Sequence, residues 1–194
     1  MLSVICTTLL LVTSLLPEEA YADCNRDDPC FDGAYDQELE FPITHTASND
    51  NSKLVELDLV VAPLDITYDW LTWTTRAFNG AVPGPTIMVK PGDQLKIHLY
   101  NELPANPDDI ASLEDKSEMR LQNSVNLHTH GLHVSSIAPA DDVLNIQVHP
   151  GFEFHYEYSI VDSQTPGSFW YHPHFKGPAT LQVRKSTTTL LLLV

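Results

Sequence analysis

Positive charge is what this chain most lacks. It has 10 Lys and Arg against 26 Asp and Glu, a formal net charge of −16 over 194 residues. Without a cationic patch to neutralise phosphates, the balance argues against a nucleic-acid partner. It favours attraction of cations, metal ions included, although an acidic surface that only confers solubility accounts for it equally well. Long apolar runs are missing too. The stretch from Ser3 to Leu16 is too short for a membrane span, which takes about 20 residues. Cysteine and methionine number three each, and neither an N-x-S/T sequon nor a His-Cys-His sequence occurs. Glycine stands at 8 against 14 prolines, with 43% apolar residues, which suits a turn-rich β protein that can bury one core.

The leading apolar stretch ends in Ala20-Tyr21-Ala22, an A-x-A cleavage pattern. Residues 1–22 therefore read as a signal peptide, cleaved near Ala22, and predict a secreted or periplasmic protein with no transmembrane segment once mature. Cys6 would leave with that segment. Cys24 and Cys30, in CNRDDPC, could close a short disulfide loop, stay free, bond to a partner or, less often, clip a metal. Residues 23–38 form an acidic lead-in, and 39–194 are expected to form a single domain.

Short extended segments dominate that domain. Strands are expected at Leu39–His45, Lys53–Ala62, Ile66–Phe78, Thr86–Val89, Gln94–Tyr100, Ser124–His130, Phe152–Val161, Ser168–His172 and Thr180–Val183. Lys90-Pro91-Gly92-Asp93 is a strong turn signal between two of them. Residues 101–122 are a polar insertion with room for a short helix, and the last residues, Ser186–Val194, offer a buried closing strand. Many short strands without a long 3.6-period segment predict an all-β fold, a Greek-key sandwich or barrel.

Two pairs of histidines carry the chemistry: His128-Thr129-His130 and His172-Pro173-His174. In an extended strand, residues i and i+2 project from one face, so each pair presents two imidazoles side by side. Imidazole suits copper, zinc, iron and nickel. One pair is weak evidence; two, separated by strand-and-turn sequence, point to a metal site shared between neighbouring strands. His133 falls off the alternation by one and reads as structural. His45, His98, His149 and His155 lack ligand spacing and read as surface residues. Asp141 and Asp142 are candidate carboxylates for orienting an imidazole, with a solvated loop pair as the competing account.

Asn79-Gly80-Ala81-Val82-Pro83-Gly84-Pro85-Thr86-Ile87, then Pro91-Gly92-Asp93, His128-Thr129-His130-Gly131 and Trp170-Tyr171-His172-Pro173-His174 occur in that order. This series resembles the N-terminal cupredoxin (plastocyanin-like) domain of laccase-like multicopper oxidases, over about Asp65 to Val183. The resemblance implies a cupredoxin fold and a trinuclear copper cluster shared between the first and last cupredoxin domains, where dioxygen is reduced to water. It implies His128 on the type 2 copper, His130 and His172 on one type 3 copper, and His174 on the other. It implies that an acidic residue, here Asp141 or Asp142, assists proton delivery.

The type 1 copper through which such enzymes take electrons requires a Cys thiolate and two histidines, and the His-Cys-His motif is missing. The other cluster histidines are missing too. Lys176 stands where many relatives carry another histidine, and Arg184-Lys185-Ser186-Thr187-Thr188-Thr189 replaces the usual turn. Two classes of function follow. One is half of an oxidase, completed by a second chain or by further domains and serving a reducing substrate that the sequence does not identify. The other is a secreted copper-binding module without turnover. A zinc site is a third reading, since four imidazoles satisfy tetrahedral zinc.

Overall fold

Period-two alternation builds the larger wall of the core. In β2 (Leu54–Tyr68), Val55, Leu57, Leu59 and Val61 are buried while Leu54, Glu56 and Asp58 face solvent. The computed structural model describes residues 42–46, 52–68, 70–106, 121–184 and 189–193. The expected signal peptide, the lead-in with Cys24 and Cys30, and residues 107–120 of the polar insertion lie outside the described residues.

β2 pairs antiparallel with β3 (Leu71–Phe78) and parallel with β5 (Gln94–Asn101). β5 in turn pairs antiparallel with β7 (Glu153–Ser159), which completes a sheet ordered β3-β2-β5-β7. The second sheet holds β1 (Thr44–His45), β4 (Thr86–Val89), β9 (Thr189–Leu193), β8 (Gly167–His172) and β6 (His128–His130), in that spatial order. From β3 to β8 the chain changes sheet at every strand, which gives an all-β Greek-key sandwich. Leu57, Leu59, Ile97, Leu99, Tyr156 and Tyr158 from one sheet meet Ile87, Val89, Leu127 and Tyr171 from the other in one apolar core.

The expected strands differ most from the observed ones in three places. The segment Ile66–Phe78 is two strands: Tyr68 pairs with Leu71, so the chain reverses between them and 66–68 belongs to β2. Thr180–Val183 is no strand but part of α1, a helix over Pro178–Arg184. Pro178 at its first position needs no N–H donor there, and Gly177 before it takes φ +88°. Of the segment Ser124–His130 only the last three residues are strand, Val125 making an isolated bridge with Val148.

The motifs around 79–93 prove structural. Asn79, at φ +51°, accepts the Val60 N–H at 2.7 Å and donates to Asp58 O at 3.0 Å, fixing the return from β3. Asp93 is buried in the turn before β5, where its Oδ2 accepts the Lys90 N–H at 2.8 Å. The Tyr171 hydroxyl donates to Pro85 O at 2.6 Å, joining β8 to the start of β4 through the core.

Asn101 ties the far end of β5 to the segments that lead into and out of the histidine region. It is 1% exposed, and its amide donates to Asn123 O and Val148 O, both at 2.8 Å, while Oδ1 accepts Leu103 N–H at 3.1 Å. Asn101→Ala removes all three and strands buried backbone groups. The expected loss is about 3 kcal/mol of unfolding free energy, read from urea denaturation.

Candidate metal centre

The pairing of β6 with β8 brings the two His-x-His sequences together. In register, His128 faces His172, Thr129 faces Tyr171 and His130 faces Trp170. Thr129 and Tyr171 point into the core at 1% and 0% exposure. Alternation then sends His128, His130, Trp170 and His172 to the opposite face of the sheet.

On that face the rings converge. His128, His130 and His172 each offer a nitrogen within 4.8 Å of the others. His172 Nε2 lies 3.5 Å from His130 Nδ1. His174, just past β8, joins them with its ring 5.0 Å from that of His128 and 5.8 Å from that of His172. All four sequence-predicted histidines therefore meet at one place. Three imidazole nitrogens at this separation match the donor chemistry of copper or zinc.

The rings of His128, His130 and His172 are held from behind. A carboxylate only accepts, so His128 Nδ1 carries the proton it shares with Asp141 Oδ2 at 2.8 Å, leaving Nε2 with a free lone pair. His172 Nδ1–H donates to Pro173 O at 2.9 Å, which frees its Nε2 likewise. Trp170 stacks on both His130 and His172, with centroids 4.7 and 4.1 Å apart. Gly131, at φ +93°, ends β6 where a Cβ would come within 2.7 Å of the Phe169 ring.

The two aspartates part company. Asp141 is buried, touches His128, and also accepts from the Thr129 N–H and hydroxyl at 3.4 Å. Asp142 instead accepts from the Asn145 amide and backbone N–H at 2.9–3.1 Å. Those bonds hold its carboxyl below the ordinary carboxylate value.

Asn126 is a residue that spacing did not single out. Fully buried, it accepts the His174 N–H at 2.7 Å and donates to Val143 O at 3.0 Å, so it links the approach to β6 with the second histidine pair. The available signal was a polar residue inside the run Ser124-Val125-Asn126-Leu127, since buried amides require partners. His133 lies exposed beyond the turn, its backbone N–H on Gln164 Oε1 at 2.7 Å. His149 shares a hydrogen bond with Ser124 Oγ at 2.8 Å. No helix among the described residues is long and apolar enough to cross a membrane.

Known proteins place this geometry in a family. A family model described as "Multicopper oxidase" matches residues 64–110 and 116–191. Laccase-24 of Oryza sativa subsp. japonica is 28% identical over 141 residues, which are 71% of this chain and 21% of that protein. Multicopper oxidase MmcO of Mycobacterium tuberculosis is 23% identical over 155 residues, or 80% of this chain and 26% of MmcO. Among solved structures, the multicopper oxidase from Campylobacter jejuni, "a metallo-oxidase", superposes with a TM-score of 0.60 at 21% identity, over 80% of this chain and 29% of its own. The one from Pediococcus acidilactici gives 0.62 at 18% identity, over 81% and 29%, a likeness of fold. The chain thus spans under a third of the length of these relatives. With its sandwich, its paired histidines and the matched family model, the chain belongs to the multicopper oxidase family.

Proposed function

We propose that this chain is the N-terminal cupredoxin domain of a laccase-like multicopper oxidase and supplies half of the ligands of its trinuclear copper cluster. The observation that carries the reading is the convergence of His128, His130 and His172 within 4.8 Å, with His174 beside them. His128 is assigned to the type 2 position, His130 and His172 to one type 3 position, and His174 to the other. Copper held there supplies the redox chemistry by which dioxygen is reduced. The remaining ligands and the type 1 centre belong to further domains or a second chain, since the sequence has no His-Cys-His. Secretion after cleavage near Ala22 fits copper acquisition outside the cytoplasm.

What the chain's own residues do follows from their contacts. Asp141 fixes the His128 tautomer, and its burial next to the cluster makes it the carboxylate suited to passing protons there. Asp142, bound to Asn145, is left with a turn-stabilising role. Asn126 holds the backbone of His174, and Trp170 covers one side of two imidazoles against water. Burial lowers the His172 pKa from 6.5, and the neighbouring imidazoles lower it further, which keeps the ring in its neutral, ligating form.

Copper loading of the purified chain, followed by elemental analysis and EPR, tests the assignment. His130→Ala with His172→Ala should abolish copper at the type 3 position, and unchanged stoichiometry would sink the reading. Asp141→Asn should weaken copper binding about 10–100-fold while leaving the fold intact. Copper uptake without oxygen consumption in the presence of the completing domains would favour a binding module without turnover.

A pH effect is expected in the metal-free protein. Because the folded His172 binds its proton below 6.5, the unfolded chain holds more protons as pH falls from that value. Stability contributed above pH 6.5 is then lost as pH descends toward the folded pKa. Urea midpoints measured across this window should fall with pH, and His172→Gln should flatten the fall.

A further inference from the structure

The outer face of the β3-β2-β5-β7 sheet carries a third histidine pair, on the other sheet from the first two. His98 on β5 and His155 on β7 are direct cross-strand partners. Their rings meet edge to face with centroids 4.6 Å apart, and His98 Nδ1 contacts His155 Nδ1 as a hydrogen-bond partner. Each ring is backed by a carboxylate at its other nitrogen. His98 Nε2 lies 2.9 Å from Glu56 Oε1, and His155 Nε2 lies 3.2 Å from Glu153 Oε1.

This arrangement favours one tautomer for each ring. Ionised carboxylates accept only, so both Nε2 atoms carry hydrogen. The two Nδ1 atoms then present lone pairs to one another, and a contact between them needs a positive centre: a shared proton or a bound cation. A carboxylate behind each imidazole is the outer support that metal-ligating histidines use, since it sets the tautomer and raises the basicity of the ligating nitrogen. The surrounding charge has the same sense. Asp58 lies on the same face, whose cation Lys96 is taken by Glu157 at 3.0 Å. His155 and both glutamates are about half exposed, leaving room for water to complete a coordination shell.

We propose that His98 and His155 form a second metal site, a two-imidazole clip that takes a late first-row divalent ion through both Nδ1 atoms. The ion replaces the proton that the two rings otherwise share, and Glu56 and Glu153 stay on the Nε2 hydrogens. Two imidazoles with open positions suit Cu(II) first and Zn(II) next, by ligand type and by the order of divalent affinities. The site is independent of the cluster at β6 and β8, and it stands or falls separately from the oxidase reading.

Two measurements test it. In the first, Cu(II) is titrated by calorimetry into a chain carrying His128→Ala, His130→Ala, His172→Ala and His174→Ala. One equivalent should remain, His98→Gln with His155→Gln should abolish it, and Glu56→Gln with Glu153→Gln should weaken it about 10–100-fold. The second needs no substitution in the cluster: Zn(II) is added to the unmodified chain while the histidine ring nitrogens are followed by NMR. The Nδ1 resonances of His98 and His155 should move strongly, with both Nε2 hydrogens retained. Cu(II) binding unaffected by the His98 and His155 changes, or Nδ1 signals that ignore Zn(II), would show that the pair holds only a shared proton and would overturn the proposal.

Discussion

The antiparallel register of β6 on β8 is the constraint on which the histidine cluster depends. His128 opposite His172, and His130 opposite Trp170, put three imidazoles and an indole on one side of the sheet. A slip by one residue would exchange every side chain between the two faces. The register resists slipping because Thr129 and Tyr171, between the ligands, are committed to the core. Tyr171 is the firmer anchor: it packs on Phe78 with centroids 5.7 Å apart and hydrogen-bonds to Pro85 across the sandwich. An apolar wall and a single hydroxyl thus determine where the polar site forms.

Rigidity behind the imidazoles matters as much as their meeting. An imidazole can bind a metal through either nitrogen, and only an acceptor on one nitrogen selects the other. Asp141 does this for His128 and the Pro173 carbonyl does it for His172. These supports come from different places, a loop carboxylate and the backbone of the second motif itself. The proline in His172-Pro173-His174 is therefore more than a spacer, because its carbonyl orients the residue before it.

The sequence showed which histidines meet and offered Asp141 as a support, but left the Pro173 carbonyl, Trp170 and Asn126 hidden. Alternation within His128-Thr129-His130 and within β2 and β5 is local, so it survives translation into strands with the faces already assigned. Contacts such as Asn126 to His174, 48 positions apart, depend on how loops return. The His98–His155 pair was hidden for the same reason: the partners are 57 positions apart and only the β5–β7 register brings them together. Spacing arguments find ligand pairs on one strand and are blind to pairs across two. The misread Thr180–Val183 has another cause. Four residues are too few to separate a helical from an extended period, and Gly177-Pro178 just before them was the better guide.

The two histidine clusters differ in a way that follows from their carboxylates. At β6 and β8 one buried aspartate orients one ring, and the other three imidazoles face each other without negative charge between them. Burial there lowers the affinity of His172 for protons, so that ring is kept neutral and ready to ligate. At β5 and β7 each ring has its own half-exposed glutamate, and the charge on that face favours a positive centre of any kind. At β6 and β8 it is the buried His172 that disfavours the proton. The strongly acidic chain draws cations to both faces, and what separates the two sites is the carboxylate support: one buried aspartate behind one ring in the first, a half-exposed glutamate behind each ring in the second.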